Sequence, residues 1–379
     1  MRYLIPTLCD RFECIGSRCP DTCCAGWNIY VDQETDTYYQ SVTGEIGQKL
    51  QEKINRTKSR AYFVLDENLR CPFLNKKNLC SLYLTLGPDS LCGTCKLFPR
   101  QNRKYGNLRL AYTSIACPES ARMFLSEKQP IEILCIQNEE KEDPSFHAQD
   151  DFLLDTLTSA ISLVQDRSLS LRQRLSLAVL FYYQQQTCYT NSADYSDVIH
   201  IFSNPDLYGH LLDEYQLPDT DFSQRLHLLN LVCPIITINK SEPFLLEIYT
   251  GFSCKMEDKG VDQVSQKLED YVKYFEDPSI QTELENLFVY LLFRYTFSEQ
   301  EKIDVFKTIV STITFYITYI LFVSMSAVSK NHILSTQERL IVLSRLARYF
   351  EHNKHNVSEI YECMKQQHMN TPETLIRLL

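Results

Sequence analysis

Beyond residue 150, apolar positions recur at helical spacing. In FLLDTLTSAISLVQ, from Phe152, they fall three and four apart, which is the repeat of one helix face. Ser168 then precedes LSLRQRLSLAVLFYYQQQ. A serine there serves as an N-cap and predicts a second helix. The same amphipathic pattern covers 261–275, 281–296 and 337–350, and Asp277-Pro278-Ser279 reads as a break before a new helix. Segment 233–252 is less regular and is read as a short strand or an extended connection. Nearer the N-terminus, 34–58 reads as helical, with Glu45, Lys49 and Lys53 on an exposed face. One run stands apart. From 308 to 328, TIVSTITFYITYILFVSMSAV carries no charge and is long enough to cross a bilayer. Its many hydroxyls, and Lys307 and Lys330 placed without side bias, favour a buried central helix instead.

Between these halves, 138–151 (NEEKEDPSFHAQDD) is charged, contains Pro144 and has almost no apolar content. It reads as an acidic linker. It separates a unit at 1–137 from a helical domain at 152–379. Glycine is scarce, at ten in 379 residues, which argues against a many-turned β fold. The expected fold is mainly α: an irregular cysteine-rich N-terminal unit, then an α-helical C-terminal domain.

Charge follows the same division. Residues 1–137 hold 18 Lys and Arg against 14 Asp and Glu; residues 138–379 hold 20 against 34. The net charge of −10 makes nucleic acid a poor partner, since phosphate binding needs a positive field. No membrane partner is expected either. The first residues lack the basic and apolar regions of a signal peptide, so a cytoplasmic setting is expected. There, clustered cysteines bind metal or do redox chemistry more often than they pair.

Eleven of the fifteen cysteines lie in 1–137. Nine form the candidate metal set: Cys14, Cys19, Cys23, Cys24, Cys71, Cys80, Cys92, Cys95 and Cys117. No histidine occurs before residue 147, so the site is thiolate-only. Sulfur ligands select Zn²⁺ or iron–sulfur clusters over hard cations. Spacing leaves both open, and nine thiols exceed one site. Adjacent Cys23 and Cys24 cannot both serve one iron easily, and Cys23 is preferred. The CxxxCxxC loop of the usual radical enzymes that use S-adenosylmethionine (SAM) is absent. Cys9 and Cys135 fall outside the pattern. Cys188, Cys233, Cys254 and Cys363 are scattered singly and read as buried thiols. HNKH (352–355) has metal-like spacing but reads as exposed helix.

CIGSRCPDTCC (14–24), CPFLNKKNLCSLY (71–83) and CGTCKLFPR (92–100) resemble a cysteine-cluster family described as zinc- or iron-chelating. Cys14, Cys19, Cys23, Cys24, Cys71, Cys80 and Cys95 match its pattern. SIACPESARMFL (114–125) and LVQDRSLSLRQRLSLAVLF (163–181) resemble the flagellin lysine-N-methylases. That resemblance implies methyl transfer from SAM to flagellin lysines by an enzyme holding a [4Fe–4S] cluster, with flagellin as protein partner.

The chemistry needs an uncharged lysine nitrogen, an in-line approach and little water. Aromatic rings can hold a sulfonium, and Tyr105 and Tyr112 lie close in sequence to the cysteines. Arg100 follows CKLFP in a stretch, 90–118, without acidic residues. These three are the candidate SAM-binding residues. No glycine-rich strand–turn–helix occurs, and GEIG (44–47) sits inside a predicted helix, so a doubly wound methyltransferase domain is not expected. No catalytic base is assigned. The rival readings are a non-catalytic interaction protein with structural Zn²⁺ and an iron–sulfur redox protein without SAM chemistry.

Overall fold

The structure, a computed structural model, describes residues 1–238, 242–297, 303–351 and 354–379. It is mainly helical, with seventeen α-helices and two small sheets among the described residues. The central element is the helix Val305–Lys330, whose residues from Thr308 to Val328 are all buried. It is long and apolar enough to cross a membrane by length and composition, yet here other helices enclose it. Helices Pro243–Lys259, Val261–Lys273, Pro278–Thr296 and Leu171–Thr190 pack around it. Some of its hydroxyls bond back to the helix, as Thr314 does to the carbonyl of Val310 at 2.7 Å and Ser329 to that of Met325 at 3.0 Å. Among the described residues, those of Thr312, Thr318 and Ser324 are buried without a hydrogen-bond partner. Bonds of this kind let a hydroxyl-rich helix stay buried.

The helix predicted from Phe152 runs His147–Val164, and those predicted at 261–275, 281–296 and 337–350 run Val261–Lys273, Pro278–Thr296 and Thr336–Glu351. Asp277 caps its helix by accepting from the Ser279 amide. Three readings change. The N-cap of Leu171–Thr190 is Ser170, not Ser168, because Ser170 and Gln173 form a reciprocal capping box. The single helix expected over 34–58 is two, Gln33–Ser41 and Gly44–Lys53, followed by a strand Ile54–Arg56. Gly44, at φ 80°, takes the turn between them. Segment 233–252 holds no strand among its described residues: Phe222–Ile238 and Pro243–Lys259 are helices, and Pro234 lies inside the first. Of HNKH, His352 lies outside the described residues, and His355 is exposed on the helix Lys354–Gln366.

The N-terminal region holds more regular structure than expected. A four-stranded sheet runs Arg100–Tyr105, Leu108–Thr113, Arg2–Pro6, Ile133–Gln137. The first pair is an antiparallel hairpin turning at Gly106, at φ 51°; the second and third strands are parallel. Leu108, Leu110 and Tyr112 alternate onto its buried face. That face and the helix Pro118–Ser126 share one apolar core with the helical region. A second sheet orders Tyr30–Val31, Ala61–Phe63 and Ile54–Arg56, and its own apolar cluster includes Cys71 and Cys92.

The segment read as a linker, 138–151, is tied down. Asp143 accepts from the Asn107 side chain through its carbonyl and donates to it through its amide, at 2.9 and 2.7 Å. Buried Asp150 accepts from the Asn107 amide at 2.9 Å. A side chain at Gly106 would meet that carboxylate, whose Oδ1 lies 2.4 Å from where a Cβ would stand.

Candidate metal centre

All fifteen cysteines are free thiols. The first loop, from Cys14 to Cys24, is irregular apart from a short turn at Gly16–Arg18. Cys80, Cys92 and Cys117 stand as N-caps of the helices Ser81–Leu86, Gly93–Leu97 and Pro118–Ser126. Cys95 lies within the second of these. The chain folds locally to bring loops together: the Cys71 amide donates to the Cys24 carbonyl at 2.8 Å. Trp27 donates its indole N–H to the Cys23 carbonyl at 2.8 Å and packs against Phe98.

The nine candidate thiols fall into two neighbourhoods. Cys71 and Cys92 belong to the smaller apolar cluster, with Cys24, Cys80 and Cys95 packed against it. Cys14, Cys19, Cys23 and Cys117 instead line a cavity of about 420 Å³, whose wall also includes Cys24 and Cys80. Electrostatic coupling follows the same division. Cys19 is coupled to Cys23 and Cys14, and Cys117 to Cys23 and Cys19. Cys71 is coupled to Cys80 and Cys92, and Cys95 to Cys92, Cys24 and Cys71. Cys23 and Cys24 form the junction, with Sγ atoms 3.9 Å apart.

Burial pushes Cys71 and Cys117 each up to about 12. Cys23 is raised by its hydrogen bond with Cys24 and by burial. Cys92 alone among the nine is drawn down, by the hydrogen bond from Cys95, which is raised in turn. Buried thiols become ligands as thiolates, so a cation is what would compensate them. Among the described residues, no three His, Cys, Asp or Glu side chains are grouped tightly enough to hold a single ion. Six of the nine thiols instead line one cavity.

Charged residues of the helical region reach this loop. Asp21, on the cavity wall, accepts from Arg345 at 2.6 Å and from Arg348 at 2.9 Å. Arg348 is buried and also donates to the carbonyls of Ala25 and Ala116. Glu242, buried, pairs with Arg345 at 3.4 Å. Nothing in the cysteine pattern points to these residues. The available signal was the pair of arginines three apart in SRLARYFE (344–351), placed among apolar positions of one helix.

The three candidate SAM residues lie off this cavity. Arg100 donates to the Phe12 carbonyl at 3.1 Å and stacks over the Phe12 ring. Tyr105 is buried, accepts from Gln149 at 2.5 Å and packs edge-on against Phe297. Tyr112 is buried against Tyr290 and Phe293. Outside the cluster, Cys233 is buried as expected, but Cys188 and Cys363 are half-buried and Cys254 is exposed.

Fold and site together define a mainly helical protein that carries a thiol-lined cavity beside a sheet. The comparisons take this further: the FliB lysine N-methylase C-terminal domain matches residues 158–378, more than half of the chain, and the protein belongs to that family. It is 33% identical over 157 residues to a lysine-N-methylase of Salmonella typhimurium, covering 39% of each chain. It is 34% identical over 128 residues to the flagellar biosynthetic protein FliU of Salmonella muenchen, covering 32% of this chain and 76% of that one. The match thus spans about two-fifths of the S. typhimurium methylase. No solved structure matches.

Proposed function

We propose that this protein is a cytoplasmic SAM-dependent methyltransferase that N-methylates lysines of flagellin, with a [4Fe–4S] cluster held by its N-terminal cysteines. Membership of the FliB lysine N-methylase family over residues 158–378 carries the reading. Relatives named lysine-N-methylase and flagellar biosynthetic protein support the reaction and the kind of substrate.

The donor set fits a cluster. It is all sulfur, eight of its nine thiols are buried or half-buried, and six of them line a cavity of about 420 Å³ instead of converging on one point. Mononuclear zinc needs four donors at about 2.3 Å from a single centre. Cys14, Cys19, Cys23 and Cys117 would hold the group on one side of the Cys23–Cys24 junction, and Cys24, Cys71, Cys80, Cys92 and Cys95 supply thiols on the other. When bound, the cluster supplies iron as a Lewis acid and cross-links the cysteine loops.

The protein's own residues do the rest. Arg345 and Arg348 fix Asp21, and with it the first cysteine loop, against the helical region. Transfer breaks the sulfonium–methyl bond and forms a nitrogen–methyl bond on a neutral lysine, leaving S-adenosylhomocysteine and one proton. Apolar lining from the half-buried Leu74 and Leu91 lowers the cost of the neutral form of an approaching amine. The two carboxylates on the wall are both engaged, Asp21 by two arginines and Glu119 by Arg122 at 2.6 Å.

Anaerobically purified protein should be brown and should convert flagellin lysine to methyl-lysine when given SAM. Cys80→Ser should bleach it. Colourless protein with stoichiometric zinc overturns the cluster, and brown protein that yields no methyl-lysine overturns the transfer.

A further inference from the structure

Arg294 sits near the end of Pro278–Thr296, an otherwise largely apolar helix, and is only 5% exposed. Among the described residues its guanidinium makes no hydrogen bond or ion pair. The Tyr295 ring lies 5.7 Å from the guanidinium carbon. The hydroxyls of Tyr112 and Tyr295 are also buried and also lack a hydrogen-bond partner. Tyr112, Tyr290, Tyr295 and Glu351 make up the electrostatic surroundings of Arg294. Arg103, half-buried on the edge strand Arg100–Tyr105, lies beside the Tyr112 hydroxyl without forming a hydrogen bond of normal geometry.

The only carboxylate in this group, Glu351, is engaged at both oxygens. Tyr290 donates to one at 2.7 Å and Ser114 to the other at 2.6 Å. Arg294 and Arg103 therefore share the surroundings of a single, already engaged carboxylate, and each open position, the Arg294 Nε–H and the two tyrosine hydroxyls, can donate. Buried polar groups are nearly always paired, so several open donors at one place call for an acceptor. A buried guanidinium is matched by a planar, singly charged carboxylate, which it can grip with two parallel bonds. A second feature locates the group relative to the chemistry. Ser114 holds Glu351, Ala116 accepts from Arg348, and Cys117 lines the thiol cavity. One four-residue segment thus has the arginine–tyrosine group on one side and the thiols on the other.

We infer that Arg294, with the hydroxyls of Tyr112 and Tyr295, forms a binding site for the carboxylate of an amino-acid-type ligand, the methionyl end of SAM. This rests on the reading of the protein as a SAM-dependent methylase and names the residues that hold the methyl donor. Tyr112 was a sequence candidate; Arg294, Tyr295 and Glu351 were not. Glu351 and the tyrosine ring faces are suited to the ligand's ammonium group.

Calorimetric titration of the full holoprotein tests it, with S-adenosylhomocysteine and its analogue lacking the carboxylate as probes. The wild type should bind the complete compound and bind the analogue more weakly, by about 10- to 100-fold. Arg294→Gln should lose affinity for the complete compound by a similar factor and no longer distinguish the two. Arg294→Lys should recover part of the difference. Tyr112→Phe, which keeps the ring, should weaken the complete compound selectively even if Arg294→Gln proves unstable. Wild-type binding with equal discrimination in Arg294→Gln and Tyr112→Phe overturns this site alone. Failure of the wild type to bind either probe overturns it together with the SAM reading.

Discussion

Glu242 is the residue where burial and charge conflict most plainly. It lies against Gly26, whose positive φ of 82° lets the backbone pass the carboxylate. Burial raises its carboxyl from 4.5 to about 7, against the pull of Arg345 and Arg348. The folded state therefore holds the proton more tightly than the unfolded chain. Stability should fall as pH rises from 4.5 to about 7, by on the order of 3 kcal/mol at most. Glu242→Gln should flatten that slope, as read by urea unfolding across this window. An unchanged slope would show that Glu242 is ionised throughout. The same scale explains which site residues could be read in advance. A thiolate cluster announces itself by residue type and spacing, so the nine cysteines stood out. Arg294 and Arg348 act through burial and missing or shared partners, which only packing reveals. Their one sequence trace is a cation inside an apolar run, FVYLLFRYTF (288–297) and RLARYF (345–350).

Elements were legible where a local rule governs them. Periodicity and capping located the main helices of the C-terminal region, because a helix face and its cap are set within a few residues. Ser168 and Ser170 compete for one cap, and only Ser170 has a glutamine three residues on to reciprocate. Ser170→Ala should cost about 1 kcal/mol, whereas Ser168→Ala should change stability by less than about 0.5 kcal/mol. Chemical denaturation of the two variants compares them directly, and equal losses would contradict the assignment. The four-stranded sheet was not legible for the opposite reason. Arg2–Pro6 pairs with Leu108–Thr113 and Ile133–Gln137, partners more than a hundred residues away. Segment 233–252 was misread because Pro234 usually ends a helix; here it lies within one.

For the whole molecule, the helical region does more than stand behind the cysteines. Its arginines clamp the first cysteine loop through Asp21, and Glu351 takes the hydroxyl of Ser114 between sheet and thiols. The long helix Val305–Lys330, uncharged from 308 to 328, is the hub of this packing, and its hydroxyl content was the clue to that role. The negative charge of residues 138–379 suits a lysine-rich substrate patch electrostatically. Under the proposed reading, the methyl-donor site and the cluster flank one segment, Ser114 to Cys117, between the sheet and the cysteine loops. The direct measurement is the intact mass of flagellin from cells that co-express this protein, against cells carrying Cys23→Ser. The account predicts increments of about 14 Da per methyl group with the wild type and their loss with the variant. Flagellin of identical mass with the wild type and without the protein would contradict it.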